Sequence, residues 1–226
     1  MNRPGMPRAA VLAGLLALAG AAPAQQAEPE WHVLQAGTVH GGEAPAKPGD
    51  GWLALKVIDG KWHLVPAVVT AMAVRDEVVG GPDDLSAVRI DVDVAGAIAL
   101  LRAPGLVAGK VDTPDMRFKD NVRELGPDES TLAVNFKGRA YRFVVHHQAL
   151  DLRLDGQSTR LSDNVGDGGD ITTGLVWAGD LDGDGALDFL LEGTGFNNDS
   201  LCLYLSRGAP AGKLVQLSGC QNATGC

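Results

Sequence analysis

A short acidic run near the carboxyl end is the one segment whose residue types and spacing point to chemistry. Counting Asp180 as position 1, carboxylates also stand at positions 3, 5 and 9, and a glycine stands at position 6. Alternate side chains of a tight loop turn toward one centre, where oxygen ligands suit a hard cation such as Ca²⁺. The spacing therefore predicts a calcium site formed by the carboxylates of Asp180, Asp182, Asp184 and Asp188 and the backbone carbonyl of Ala186.

Position 12 of this run distinguishes it from the helix-flanked EF-hand. An EF-hand loop carries a bidentate glutamate at that position and joins two helices. This chain has Leu191 there, and apolar segments of strand character flank the loop at residues 174–178 and 189–191. The sequence therefore predicts a strand, a cation loop and a second strand.

Strand, D-x-D-x-D-G-x-x-D loop and strand together resemble a calcium-binding repeat of the FG-GAP or VCBS type. The resemblance covers residues 174–206 and occurs once in the chain. It implies a structural calcium held by the four aspartates and the Ala186 carbonyl. A propeller needs at least about four blades, so a single motif implies neither a propeller nor ligand recognition by its upper face.

The remainder of the chain predicts a mainly β fold, with antiparallel hairpins forming a sandwich or barrel-like domain and a C-terminal strand–calcium loop–strand unit. Three tight turns, Asp59-Gly60, Lys137-Gly138 and Asp155-Gly156, separate segments rich in apolar and β-branched residues. Further strand-like alternation occurs at 88–94. Only residues 95–102 and 115–125 are expected to form a turn or two of helix.

The amino-terminal 24 residues are expected to be a signal peptide. Arg3 and Arg8 precede an apolar run at 9–21 that is too short to span a bilayer, and a small-residue cleavage pattern ends at Ala24. We expect a periplasmic or secreted protein with a β-domain at 25–161 and the calcium-loop segment at 162–226. These two segments either form separate units or share one core.

The charge and the cysteines set further limits on function. The formal net charge of −9 disfavours nucleic acid as a partner, because such binding needs basic surface. No segment after the leader is predicted to span a membrane. Three cysteines, Cys202, Cys220 and Cys226, stand near the carboxyl end of a chain expected to be exported. One structural disulfide is expected, with all three pairings open.

Other candidate sites are weaker. His146 and His147 are adjacent, so on a strand they are expected to point to opposite faces and not to chelate one ion. His32, His40 and His63 lack the ligand spacing of a zinc site. A second acidic stretch at 163–170 interrupts the ligand alternation and is interpreted as a linker; the alternative is that Asp167 or Asp170 adds an oxygen to the first ion.

Taken together, these features predict an exported calcium-binding β-protein that acts as a non-catalytic binding or interaction module for an unknown protein or envelope partner. No nucleophile motif or phosphate-binding loop occurs in the sequence, so an enzyme is not the favoured interpretation. Two alternatives stay open, a secreted hydrolase with a structural calcium and a structural protein of the cell envelope.

Overall fold

The computed structural model describes residues 31–40, 42–43, 48–77, 80–81, 83–115, 123–126, 129–163, 165, 172–195 and 197–224. Within these ranges every regular element is a β-strand and every strand pair is antiparallel, which confirms the predicted fold class. None of these residues belongs to a helix long and apolar enough to cross a membrane. The predicted signal peptide, residues 1–24, lies outside the described residues.

Sixteen strands lie in the described ranges. The first eight are β1 (His32–Leu34), β2 (Gly37–His40), β3 (Gly49–Ile58), β4 (Lys61–Val74), β5 (Ala87–Val92), β6 (Ala99–Arg102), β7 (Gly109–Lys110) and β8 (Arg123–Glu124). The second eight are β9 (Thr131–Phe136), β10 (Arg139–His146), β11 (Ala149–Leu154), β12 (Gln157–Ser162), β13 (Thr172–Gly179), β14 (Asp188–Gly195), β15 (Asn198–Leu205) and β16 (Gln216–Ala223).

These strands form three sheets. The first has the order β1-β6-β3-β4-β5-β2, with β7 also paired to β4. The second has the order β12-β11-β10-β9, and the third has the order β16-β15-β14-β13-β8. The three predicted turns join β3 to β4, β9 to β10 and β11 to β12, and both residues of each turn have positive φ. That is the backbone of the favoured two-residue hairpin turn, so these hairpins are confirmed.

The helix predicted at residues 95–102 is wrong. Ala99–Arg102 forms β6, which pairs with β1 on one side and with β3 on the other. Its first three side chains are fully buried, and a short run that is apolar on both faces has no periodicity to separate strand from helix. The second predicted helix, at 115–125, contains strand β8 where it is described; residues 116–122 lie outside the described part.

The third sheet is the central layer, because apolar side chains pack against both of its faces. On one face the second sheet contributes Val134, Phe143 and Leu152, which cluster with Leu175 and Phe189 of the third sheet. On the other face the first sheet contributes Val33, Leu55 and Leu101, which cluster with Trp177, Leu190 and Leu203. Strand β13 is therefore buried on both sides, which explains its continuous apolar sequence.

Both of these clusters combine residues from before and after Ser162, the start of the predicted calcium-loop segment. Of residues 162–173, at the start of that segment, the structure describes only residues 162, 163, 165, 172 and 173. The packing that positions the acidic loop therefore comes from all three sheets.

One disulfide links two neighbouring strands of the third sheet. Cys202 of β15 and Cys220 of β16 are directly paired in the strand register and are bonded to each other. This confirms the expected disulfide and selects one of the three open pairings. Cys226 lies outside the described residues.

Candidate metal centre

The acidic loop connects two paired strands of the central sheet. Strand β13 ends at Gly179 and β14 begins at Asp188, and these two residues are the last partners in the strand register. The two ends of the loop are therefore held side by side. The predicted arrangement of strand, loop and strand is confirmed.

Gly179 allows the loop to begin where it does. A Cβ atom at this position would lie 2.5 Å from the carbonyl oxygen of Asp112 and 2.5 Å from the ring of Trp177. The backbone N–H of Asp180 donates a hydrogen bond of 2.8 Å to the same Asp112 carbonyl. A larger residue would separate the two segments, so this glycine fixes the position of the first predicted ligand.

Three of the predicted ligands lie together. Asp180, Asp182 and Asp188 each offer one carboxylate oxygen, and these oxygens lie within 4.8 Å of one another. Asp180 is 8% exposed and Asp188 is fully buried. Because Ca²⁺ binds oxygen at about 2.3–2.6 Å, oxygens on opposite sides of one ion are separated by about 5 Å. The spacing is therefore that of ligands around a single cation.

Two oxygens of this group are buried without a hydrogen-bond donor in the described part of the chain. They are Oδ1 of Asp180 and Oδ2 of Asp182. The nearest cation to Asp182 Oδ2 is the Arg207 Nε at 3.5 Å, an ion-pair distance that does not make a hydrogen bond. Buried carboxylate oxygens are costly unless something satisfies them, and a bound cation would satisfy both. The donor set therefore fits a metal.

Asp188 is held by hydrogen bonds from the protein itself. Its Oδ2 accepts from the Leu181 N–H at 2.8 Å, and its Oδ1 accepts from the N–H and the hydroxyl of Ser206 at 2.9 and 3.0 Å. Burial nevertheless raises the pKa of Asp188 to about 7, although the hydrogen bonds lower it. Burial and the charge of Asp184 likewise raise the pKa of Asp182.

Asp184 lies apart from the other three. Asp184 is exposed, and its carboxylate accepts hydrogen bonds from the Ala186 N–H and the Ser206 hydroxyl, both at 2.8 Å. The three carboxylates that lie together do not include it. A role for Asp184 or for the Ala186 carbonyl as ligand stays a prediction. Of the second acidic stretch, Asp167 and Asp170 lie outside the described residues.

Sequence reasoning missed a lysine that reaches the loop from the second sheet. Lys137, in the turn between β9 and β10, places its Nζ 2.7 Å from Asp180 Oδ2 and 3.6 Å from a carboxylate oxygen of Asp112. The hydrogen bond with Asp180 raises the pKa of Lys137. Lys137 is therefore a built-in cation beside the acidic group. No sequence pattern links residues 43 positions apart on different sheets.

A cavity of about 680 Å³ opens beside the loop. Asp180, Asp182 and Arg207 form part of its polar wall. Its apolar lining includes Val107 and Leu217, which are 75% and 56% exposed. The acidic group therefore lies at the edge of a depression with charged and apolar surfaces.

The predicted orientation of His146 and His147 is wrong. Their ring centroids are only 4.0 Å apart. The strand alternation ends at His146, because His147 lies in the two-residue turn between β10 and β11 and has a φ of 48°. Positive φ turns its side chain out of the alternating pattern, so both rings project into the same region.

The fold and the acidic group define an antiparallel all-β protein with a candidate metal site at a strand–loop–strand junction. Comparisons with protein-family models, with curated proteins and with solved structures find no match for this chain.

Proposed function

We propose that this protein is an exported calcium-binding β-protein that acts as a non-catalytic binding or interaction module. The loop 180–188 would hold a structural Ca²⁺ in the manner of a single FG-GAP or VCBS-type repeat. One observation carries the proposal: three carboxylates converge within 4.8 Å, and two of their buried oxygens have no hydrogen-bond donor among the described residues.

Calcium is the metal that this donor set favours. All the candidate ligands are oxygens, which excludes a preference for the softer metals that bind imidazole or thiolate. Magnesium demands near-octahedral geometry and retains several waters, whereas Asp188 is fully enclosed by protein. A site formed by protein oxygens in this way suits the larger ion.

The calcium would act first on stability. It would neutralise the charges of Asp180, Asp182 and Asp188 where burial opposes them, and it would connect the end of β13 to the start of β14. A ligand that binds only the folded state stabilises it by about RT ln(1 + [L]/Kd). Export is supported by the leader-like residues 1–24 and by the Cys202–Cys220 disulfide, since such bonds persist in oxidising compartments.

The cavity beside the loop supports the role as a binding module. Its polar wall shares Asp180 and Asp182 with the metal group, so calcium would shape the surface that a ligand meets. Exposed Val107 and Leu217 are available to an apolar portion of that ligand. Ligand sites are usually concave and combine apolar lining with a few placed polar groups, and this cavity has polar and apolar surface in similar amounts.

The test is thermal unfolding of the mature chain with Ca²⁺, with Mg²⁺ and with a chelator. We expect a rise in Tm with Ca²⁺ that Mg²⁺ does not reproduce and that Asp182→Asn abolishes. Asp155→Asn is the matched control, because it removes an exposed turn aspartate that pairs with Arg139 rather than with the loop, and it keeps the turn chemistry. Equal Tm values with Ca²⁺ and with chelator would refute the proposal.

The alternative that a structural observation favours is a secreted hydrolase with a structural calcium. The same cavity brings carboxylates into a concave site, an arrangement able to support acid–base work. Turnover of chromogenic ester or glycoside substrates by the wild type and by Asp155→Asn, lost in Asp182→Asn, would establish this alternative. Ligand binding without turnover would support the module.

A further inference from the structure

A second group of metal-ligating side chains lies at the end of β10 opposite to Lys137. Glu129, His146 and His147 each offer one ligand atom, and these atoms lie within 4.8 Å of one another. The Nδ1 of His146 is 2.6 Å from Oε1 of Glu129, and the two imidazole rings are 4.0 Å apart. All three residues are exposed, so an ion in solution has direct access to them.

The backbone holds the three residues in place. Strand β9 pairs with β10 as far as Thr131 and Val144, and the Val145 N–H donates to the Ser130 carbonyl at 2.9 Å. Continuing that register puts Glu129 directly across from His146. Within the turn, the Gln148 carbonyl accepts a hydrogen bond of 2.7 Å from the Val165 N–H. The group is thus built on paired strands and a fixed turn.

The turn itself departs from the other tight hairpins. Three other two-residue turns in the described chain end in glycine, at Gly60, Gly138 and Gly156. Here the corresponding residue is Gln148 with a φ of 63°, and it follows His147 with a φ of 48°. Side chains rarely adopt this backbone without compensation, and strained positions of this kind concentrate at functional sites.

Glu129 repeats this feature, with a φ of 64°. Three left-handed non-glycine residues therefore meet at one hairpin end. Two of them supply candidate ligands, and the third directs the turn that brings the second imidazole beside the first. This unfavourable backbone brings two imidazoles and a carboxylate together, and the close contact of the two rings is its result.

We propose that Glu129, His146 and His147 form a binding site for a divalent transition metal of the zinc, nickel or copper type, separate from the calcium loop. Imidazole nitrogens are ligands that these ions prefer and that Ca²⁺ does not, and zinc also accepts a carboxylate oxygen beside them. Metal–nitrogen bonds of about 2.0–2.1 Å place the ligand atoms of a tetrahedral ion about 3.3 Å apart. The His146 and Glu129 atoms, now 2.6 Å apart, would separate, and atoms up to 4.8 Å apart would approach. Exposed side chains have room to make that adjustment.

Metal binding would replace the hydrogen bond between His146 and Glu129 with bonds from both side chains to the ion. Three protein ligands leave a further coordination position open to water or to a donor from another molecule.

The test is titration of the calcium-saturated mature chain with Zn²⁺ against a chromophoric chelator. We expect one zinc per chain at this site, and His147→Asn and Glu129→Gln should each weaken binding by at least about tenfold, since even outer-shell partners of metal ligands are worth about 10–100-fold. Asparagine tolerates positive φ, so the first variant keeps the turn. His63→Asn, outside the group, should bind as the wild type does.

A spectroscopic measurement separates this site from non-specific binding. Electron paramagnetic resonance of the copper-loaded chain should show coupling to two nitrogens, reduced to one in His147→Asn, while circular dichroism shows that the variant stays folded. The rise in Tm with Ca²⁺ should be unchanged in this variant. Zinc affinity unaffected by both substitutions, or copper coupled to at most one nitrogen in the wild type, would overturn the proposal.

Discussion

The two ends of strand β10 lead to two contrasting groups of charged side chains. At one end Lys137 contacts the buried, all-oxygen group of Asp180, Asp182 and Asp188. At the other end, about 25 Å along an extended strand of this length, His146 contacts Glu129 at the surface. One hairpin sheet thus borders a site suited to a hard cation and a site suited to a borderline one.

The difference lies in how each group is assembled. The acidic group gathers like charges inside the protein, where burial opposes ionisation, so its occupation should be coupled to folding. The histidine group is assembled by a strained turn in contact with water, so the energetic cost is local. We therefore expect calcium to alter global stability strongly and zinc to alter it little.

Asp188→Ala is expected to have the largest effect on this comparison. The substitution removes the acceptor for two backbone donors, the N–H groups of Leu181 and Ser206, whereas the Ser206 hydroxyl keeps Asp184 as an acceptor. Unsatisfied buried donors cost about 1–3 kcal/mol each, so the free energy of unfolding should fall by about 2 kcal/mol or more. Urea denaturation in chelator measures this loss independently of calcium.

Asp184→Ala provides the matched contrast within the same loop. Asp184 is exposed, so water replaces its acceptor oxygens, and the loss in chelator should stay below about 1 kcal/mol. Equal losses for the two variants would mean that burial does not distinguish the loop aspartates, contrary to the structure.

The pH dependence of calcium affinity follows from Asp188. Its pKa, raised by burial to about 7, means that protons compete with Ca²⁺ just below neutrality. Affinity at pH 6 should be roughly tenfold weaker than at pH 8, because about one chain in ten then carries the carboxylate. Isothermal titration at pH 6, 7 and 8 measures the change.

In the protein without calcium, the contribution of Asp188 to stability should change with pH in the opposite direction to the calcium affinity. A carboxyl whose pKa is raised on folding contributes stability that is complete below its unfolded value of 3.8 and is lost as the pH rises through about 7. Added Ca²⁺ should therefore stabilise most above pH 7. A calcium affinity that does not vary between pH 6 and 8 would contradict the assignment of Asp188 as a ligand.

Lys137→Gln tests whether the lysine competes with the metal. Removing the ammonium beside Asp180 should raise calcium affinity by about fivefold, a modest gain because a partly exposed ion pair contributes at most about 1 kcal/mol. In chelator the same variant should have a slightly lower Tm than the wild type, because Asp180 loses a partner. Titration calorimetry and thermal unfolding together give both values.

Arg139→Gln is the control for this experiment. Arg139 lies two residues further along the same hairpin and pairs with Asp155 rather than with the loop. Its substitution should leave calcium affinity unchanged. A fall in affinity in Lys137→Gln would show instead that the lysine positions Asp180 for the metal.

The local features of both sites could be predicted from the sequence only in part. The residue pair Lys137-Gly138 identified a hairpin, and the spacing of the aspartates identified the loop. The contact between Lys137 and Asp180 depends on the packing of the second sheet against the third, which no local pattern encodes. The Cys202–Cys220 pairing likewise required the register of β15 with β16.

The histidine group escaped prediction for a different reason. The turn at His147 and Gln148 has no glycine, so the sequence appears as a continuous strand in which adjacent side chains alternate. Strand β6 was missed for a related reason, since a short run buried on both faces carries no period. Because this turn lacks the glycine that marks the other hairpins, the turn was not predicted, and only the structure shows the candidate site beside it.

Gln148→Gly examines that departure directly and should have the smallest effect. Glycine adopts a φ of 63° without steric cost, so the substitution should raise the free energy of unfolding by about 0.5–1 kcal/mol. The free energy of unfolding in urea measures this, with Gln157→Gly on β12 as a control expected to destabilise. If the strain serves to hold His147 beside His146, zinc affinity should fall even as stability rises, because a glycine turn is free to adopt other conformations. If Gln148→Gly changes neither the free energy of unfolding nor the zinc affinity, the left-handed backbone carries no strain.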